Sequence, residues 1–264
     1  MSCFTSLRQR SRLSLFVLLA LAFALPSWAA TFTLNPSADA LVTTGPSGNL
    51  SGNNYGAAGA LSVAAPGLAQ GEFQSVLQFS LAGARTSFDS QFGAGQWAVQ
   101  SVTLQLTATA PGNPLFNPSS AGQFTVSWMQ NDGCTEGVGT PQAPTTTGIT
   151  FGSLGGFLSG TDETLGTFSF NGATNGTASY TLNLTPGLSA DILAGTAASL
   201  RMFAADSSVS YLMDSRNFPT ASARPVLTVT AVPEPGTLTL LGPGLILWRR
   251  CIRGGFGRAR PAIS

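Results

Sequence analysis

The sequence predicts an all-β protein, a two-sheet, jelly-roll-like β-sandwich that contains one short helix. Three observations support this prediction. Apolar and polar residues alternate along several segments, clusters of glycine and proline separate these segments, and 43% of the 264 residues are hydrophobic, which is enough to build a core. The two ends depart from this pattern and predict an N-terminal signal helix and a short C-terminal transmembrane helix.

Residues 1–29 are expected to form a signal peptide. Three arginines between positions 8 and 12 precede an apolar stretch from 13 to 25. That stretch is shorter than the roughly 20 residues of a typical membrane span, and the small residues after it suit signal peptidase. We therefore expect cleavage between Ala29 and Ala30 and export of the chain.

The body of the chain, residues 30–231, is predicted to be the sandwich domain. Apolar residues recur at every second position in four segments, 77–81, 102–110, 124–128 and 180–184, and this period is typical of half-buried strands. Shorter apolar segments predict further strands near 31–34, 40–44, 60–64, 148–152, 165–170, 198–204, 208–213 and 225–231.

One segment of the body predicts a helix instead of a strand. Thr185 suits an N-cap, Pro186 suits the first helical turn, and Gly195 suits the end of the helix. The apolar residues that we expect on its buried side are Leu188, Ile192 and Leu193.

The composition excludes several classes of enzyme. The chain has neither histidine nor lysine, so it lacks a Ser-His-Asp triad, an HExxH zinc site and a phosphate-binding loop with its lysine. Between positions 31 and 232, four arginines stand against ten acidic residues, a net charge of −6 that disfavours nucleic acid. Cys134 is the only cysteine in this region, so no internal disulfide is expected. We expect a protein without catalytic residues or cofactors.

The C-terminal segment carries a second predicted targeting signal. The sequence Pro233-Glu234-Pro235 precedes an apolar run up to residue 248, and the basic residues Arg249, Arg250 and Arg253 follow that run. The run from 236 to 248 would form about 20 Å of helix, against a hydrocarbon core of about 30 Å. Such a helix is expected to hold the chain in the membrane only transiently.

This order of elements resembles the PEP-CTERM sorting signal of bacterial envelope proteins. The resemblance implies that residues 232–253 are the sorting segment and that residues 254–264 form a basic cytoplasmic tail. It also implies processing by an exosortase, a membrane-embedded enzyme that cuts near the motif, after which the protein reaches the cell surface or the extracellular matrix. The same type of segment forms the C-terminus of some proteins described as ice-binding.

The body resembles DNRLRE-type domains, which are secreted β-sandwiches related in shape to carbohydrate-binding modules. The resemblance depends on short motifs in the family's order, among them Asn54-Tyr55-Gly56, the segment 74–79 and the closing segment 224–229. It implies a sandwich that extends over most of residues 35–230.

Four residues are candidates for a ligand surface. Asp132 and Glu136 lie four positions apart in a loop, where they are either an acid–base pair for a glycosidic bond or part of a turn in which Glu136 accepts loop amides. Tyr55 is expected to be exposed in a Gly/Asn loop. Arg216 either recognises an acidic sugar or pairs with Asp214. Together with Tyr55, four aromatic residues are candidates for a sugar-stacking platform, namely Trp97, Trp128, Tyr180 and Tyr211, although the strand phase of Trp128 and Tyr180 favours core packing.

Two further patterns remain as alternatives. Asp39, Asp206 and Asp214 are possible oxygen ligands for a structural Ca²⁺. Thr103, Thr107, Thr109, Thr228 and Thr230 lie at even spacings in two predicted strands, where residues two apart repeat at about 6.7 Å, a spacing that flat ice-binding faces use. Threonine is also simply a good strand residue.

The leading hypothesis is an exported, non-catalytic envelope protein associated with extracellular polysaccharide or biofilm matrix. Its processing partners would be signal peptidase and an exosortase. The alternatives are a polysaccharide-active hydrolase or lyase that uses Asp132 and Glu136, and an ice-binding surface protein.

Overall fold

The computed structural model describes residues 28–110 and 119–234. The predicted signal helix, Pro235, the apolar run up to residue 248 and the tail 254–264 lie outside the described residues, and so do Arg249, Arg250 and Arg253. Within the two described ranges, no helix is long and apolar enough to cross a membrane.

The described chain is built mainly from strands. They are β1 (Ala30–Leu34), β2 (Ala38–Thr43), β3 (Ala60–Ala64), β4 (Phe73–Ser80), β5 (Trp97–Thr107), β6 (Gly122–Met129), β7 (Glu163–Phe170), β8 (Thr177–Leu182), β9 (Ala197–Ala204), β10 (Ser210–Asp214) and β11 (Val226–Pro233). The helices are α1 (Ala82–Phe92), α2 (Phe151–Leu154) and α3 (Pro186–Ala194), with short 3-10 turns at Gly155–Phe157 and Ala221–Ala223.

The strands form two antiparallel sheets. The smaller sheet has the order β1-β11-β5-β8. The larger sheet has the order β10-β3-β4-β9-β6-β7, and β2 also pairs with β4. The strand β3 pairs with β4 only at Ala64 and Phe73, and β9 pairs with β4 from Ser75 to Ser80. The predicted all-β sandwich is confirmed at this level.

The core lies between the two sheets, where alternate residues of each strand point inward. Val102, Leu104 and Leu106 of β5 are fully buried, whereas the polar residues between them are partly exposed. Phe79 and Phe124 of the larger sheet belong to the same buried cluster. Burying a large apolar side chain of this kind contributes about 1.5–3 kcal/mol, so the alternation fixes which face of each strand points inward.

The prediction of a single helix was wrong, although the predicted helix itself is present. α3 begins at Pro186 and ends before Gly195, which has a φ of 67°. Leu188 and Ile192 are buried as expected, but Leu193 is 47% exposed. The helix α1 was not predicted, and its buried residues are Ala84 and Phe88, four positions apart on one face.

The strand predicted near 148–152 is also wrong. The helix α2 stands there instead and begins at Phe151. The side chain of Thr150 accepts a hydrogen bond from the Ser153 amide, and the Ser153 side chain accepts one from the Thr150 amide. This capping box satisfies two amides at the helix start and outweighs the strand preference of the β-branched residues before it.

Candidate functional site

The smaller sheet presents an outer face that is rich in hydroxyl and amide side chains, and we call these side chains the threonine face. In the strands of this sheet, apolar side chains pack into the core, and the side chains between them point away from the core. The threonine face consists of Thr31, Thr33, Ser101, Thr103, Gln105, Thr107, Thr177, Ser179, Thr181, Thr228 and Thr230.

The strand register aligns these side chains into rows. Thr33 pairs with Thr228, Thr228 pairs with Thr103, and Thr103 pairs with Thr181, so one row of threonines crosses all four strands. Neighbouring strands lie about 4.8 Å apart and alternate residues repeat at about 6.7 Å along a strand. The face is therefore a two-dimensional array of hydroxyl and methyl groups with a regular spacing.

The threonine face carries no charge. None of the residues in β1, β5, β8 and β11 is acidic or basic. Thr109, which the sequence pattern placed in this set, does not belong to it, because its amide donates to the carbonyl of Leu212 in the larger sheet at 3.1 Å. An array of this kind suits a neutral partner that offers many hydroxyl groups.

A second feature is a closed cluster around Glu136, which we call the carboxylate cluster. Arg216 Nη1 donates to Glu136 Oε2, and Asn217 Nδ2 donates to Glu136 Oε1 at 2.7 Å. The amide of Arg216 donates to Asp39 Oδ2 at 2.7 Å. The predicted pairing of Arg216 with Asp214 was therefore wrong, and Arg216 joins two other acidic residues instead.

Asp132 and Glu136 do not share partners. Asn131 Oδ1 accepts the amide of Gly133 at 2.8 Å, which confirms a turn at this point of the loop. Burial raises the pKa of Asp132, and a hydrogen bond from Ser199 partly opposes that rise. Glu136 accepts side-chain donors and not the loop amides that we expected.

Burial also changes the acidity of other groups near this cluster. It raises the pKa of Asp39 to about 7, an effect that the Glu136 carboxylate reinforces and the Arg216 amide opposes. It raises the pKa of the Cys134 thiol to about 11, so this thiol stays protonated at neutral pH. The cavity between these residues has a volume of about 10 Å³, room for one water molecule and too small for a sugar ring.

Asn54 holds the carboxylate cluster together, although in the sequence it stands out only as part of a motif that carries the family resemblance. It is fully buried, its Nδ2 donates to the carbonyls of Glu136 and Ile149, and its Oδ1 accepts the amides of Gly56 and Gly139. A Cβ atom on Gly139 would overlap the carbonyl of Asn54. The Asn-x-Gly spacing at 54–56 was the available signal.

Tyr55 is buried at 2% exposure, so the prediction of an exposed tyrosine was wrong. It forms an isolated β-bridge with Leu41, and its hydroxyl accepts a hydrogen bond from Asn53. Trp97 and Trp128 are buried as well, and each donates its indole N–H to an aspartate. The aromatic residues that we considered therefore do not form an exposed platform.

The three aspartates considered for Ca²⁺ have different roles. Asp206 accepts the amides of Gln123, Ser208 and Val209, and these hydrogen bonds lower its pKa. Asp214 lies buried in β10, where burial raises its pKa to about 6. In the part of the chain that the structure describes, no three His, Cys, Asp or Glu side chains come together as a metal site would require.

The third feature is an open cleft of about 230 Å³ at one end of the sandwich, which we call the aromatic cleft. Its floor contains Phe170, Tyr180 and Tyr211, and its rim contains the loop between β7 and β8. The ring of Tyr211 stacks on Phe170 with centroids 3.9 Å apart. The residues described as lining the cleft include no charged side chain.

A search against protein-family models gives no match to this chain, and no curated protein matches it. The threonine face, the carboxylate cluster and the aromatic cleft are therefore the features that point to a function. The threonine face is the most extensive, the carboxylate cluster is closed to anything larger than water, and the aromatic cleft is open.

Proposed function

We propose that this chain is an exported, non-catalytic envelope protein that binds extracellular polysaccharide through the threonine face. The observation that carries the proposal is the uncharged array of hydroxyl and amide groups across four paired strands. A single hydrogen bond to a neutral partner contributes only about 0.5–1.5 kcal/mol. Many such bonds over one face add up when the partner is itself extended and repetitive.

The proposal includes the targeting signals that the sequence predicts at both ends of the chain. Signal peptidase would cut between Ala29 and Ala30, an exosortase would act near Pro233-Glu234-Pro235, and the protein would reach the cell surface or matrix. The finer fold assignment, a jelly roll of the DNRLRE type, belongs to the same proposal. It is supported by β1 starting directly at Ala30 and by β11 extending to Pro233, so that the sandwich fills the space between the two cuts.

Co-sedimentation of the full chain with insoluble polysaccharides, in a mild detergent, tests this function. The panel contains the neutral polymers cellulose, chitin and β-1,3-glucan, with anionic alginate gel as the comparison. We expect at least one neutral polymer to retain the protein and alginate to retain none, because the exported body carries net negative charge. Retention by alginate alone, or by no polymer, would contradict the proposal.

A second candidate function is ice binding, and the row of four threonines favours it. The methyl and hydroxyl groups of Thr33, Thr228, Thr103 and Thr181 repeat at the strand spacing and can order water at regular intervals. Inhibition of ice recrystallisation by the full chain at micromolar concentration would support this candidate. Crystal growth equal to that in a bovine albumin control would dismiss it and leave polysaccharide binding untouched.

A further inference from the structure

We infer that the aromatic cleft is a binding site for one uncharged sugar residue, next to the threonine face, with which it shares Thr177. This inference rests on the proposed polysaccharide binding and adds a site and a ligand size to it. The cleft lies where the ends of both sheets meet, between the start of β8, the end of β7 and Tyr211 of β10.

The size of the cleft selects a small ligand. Its volume of about 230 Å³ is far larger than the cavity of about 10 Å³ at the carboxylate cluster, which has room for one water molecule. This space accommodates one pyranose ring with its hydroxyl groups, whereas a long oligosaccharide has no room inside it. The cleft therefore suits a chain end or a side-branch sugar and complements the extended contact that the threonine face offers.

The floor of the cleft combines apolar surface with two phenol groups. Tyr180 donates its hydroxyl to the hydroxyl of Tyr211 at 3.5 Å, a long contact, and Tyr211 is only 1% exposed. Because burial and the neighbouring phenol raise the pKa of Tyr211, its O–H keeps the proton and remains a donor. A buried donor of this kind gains free energy when a ligand oxygen accepts it.

The rim of the cleft supplies amide groups. Asn171 uses its Oδ1 to accept the Ala173 amide at 3.0 Å, which leaves its NH₂ group available for a ligand. Asn175 is exposed at the tip of the same loop, and among the described residues its side chain has no hydrogen-bond partner. Amides that flank an apolar, aromatic floor are the arrangement in which proteins orient small polar ligands.

The uncharged and partly polar lining of the cleft disfavours ligands that are charged or fully apolar. Acidic sugars and phosphates need a cationic partner, and the described lining contains none. A fully apolar ligand would leave the two phenols and the rim amides without partners, which costs free energy. An uncharged sugar satisfies both the hydroxyl donors and the apolar floor.

Saturation-transfer NMR on the full chain in detergent tests the inference, with glucose, galactose, mannose and N-acetylglucosamine as probes. We expect at least one of these sugars to receive saturation. Affinity should fall about tenfold in Asn175→Ala and in Tyr211→Phe, because each variant removes one hydrogen-bond donor to the sugar. Asn49→Ala, which removes an exposed loop asparagine elsewhere, should bind like the wild type.

The outcomes separate this inference from the proposed function. The inference is overturned if no sugar binds, or if Asn175→Ala and Tyr211→Phe both bind as tightly as the wild type. If that happens while a neutral polymer still retains the protein, only the cleft assignment is wrong. If the sugar binds as expected and no polymer retains the protein, the threonine face is wrong and the cleft stands.

Discussion

At the scale of single residues, Asp39 makes the folded protein more stable in mild acid than in alkali. Its pKa rises from 3.8 to about 7 on folding, so between these values the folded state holds a proton that the unfolded state releases. The free energy of unfolding therefore falls as the pH rises through this window, by up to about 1.4 kcal/mol per pH unit. We expect a higher Tm at pH 5 than at pH 8 by calorimetry.

The variant Asp39→Asn isolates this effect. An amide keeps an oxygen for the Arg216 amide and introduces no charge, so the variant should melt higher than the wild type at pH 8 and show a flatter profile. Asp214→Asn should give a smaller change confined to lower pH, because the pKa of Asp214 is about 6. A slope that Asp39→Asn leaves unchanged would show that Asp39 is ionised in the fold.

Asn54 is the residue whose loss should destabilise the loops most. Its four hydrogen bonds connect Gly56, Glu136, Gly139 and Ile149, and Asn54→Ala would leave four buried backbone groups without partners. We expect the free energy of unfolding in urea to fall by about 3 kcal/mol or more.

Asn53→Ala is the matched control for that variant, because it removes an adjacent asparagine with a single hydrogen bond to Tyr55. It should cost about 1 kcal/mol. Equal losses for the two variants would contradict the central role assigned to Asn54.

The sequence did not predict the surroundings of Tyr55 or the partner of Arg216. The Gly/Asn context of Tyr55 indicated an exposed loop, and its burial depends on a bridge to Leu41 that local pattern does not reveal. The partner of Arg216 lies 80 residues away, at Glu136, whereas the nearby Asp214 was the plausible local choice. Side-chain partners of this kind are set by strand order, which short-range spacing does not encode.

At the scale of elements, the start of α3 depends on a residue outside the helix. Thr185 is the N-cap by position but makes no side-chain capping hydrogen bond, and Glu163 Oε2 accepts the Gly187 amide at 2.8 Å instead. A carboxylate at this end also interacts favourably with the helix dipole. We expect Glu163→Ala to lower the free energy of unfolding by about 1 kcal/mol, measured in urea.

Glu163→Gln is the comparison that separates charge from hydrogen bonding. It retains an acceptor for Gly187 and should recover about half of the loss. If Glu163→Gln lowers the free energy of unfolding as much as Glu163→Ala does, the charge of Glu163 alone stabilises the helix. If neither variant changes the free energy of unfolding, Glu163 does not stabilise the start of α3.

Strands were more predictable than helices for a physical reason. From Val102 to Thr107 of β5 and from Val226 to Val232 of β11 every second residue is buried against the core, so a period of two is visible in the sequence. The helix α1 fully buries only Ala84 and Phe88, and its other residues are mostly small or polar, which gives a weak pattern. The four-strand threonine row was not predictable at all, because it requires the order β1-β11-β5-β8.

At the scale of the whole molecule, export and sorting predict a protein shorter at both ends than the printed chain. The backbone of Glu234 donates to the carbonyl of Gln96 at 2.9 Å, so the fold reaches into the proposed sorting motif. Intact mass of the protein from the native host should show loss of residues 1–29 and of the segment after the motif. Full-length material with its C-terminus intact would contradict the sorting proposal.

Binding of neutral polysaccharide through the threonine face can be tested with a pair of double variants in co-sedimentation. Thr103→Lys with Thr228→Lys places two charges at paired positions in the centre of the face. Asn49→Lys with Thr146→Lys places the same charge on exposed loops. Both double variants should keep the wild-type circular dichroism spectrum.

We expect the fraction bound to the retaining polymer to fall about tenfold in the face variant, since desolvating the ammonium groups costs more than the lost hydrogen bonds. The loop variant should bind like the wild type. If the face variant binds as well as the loop variant, the polymer contacts another surface and the threonine face is not the binding site.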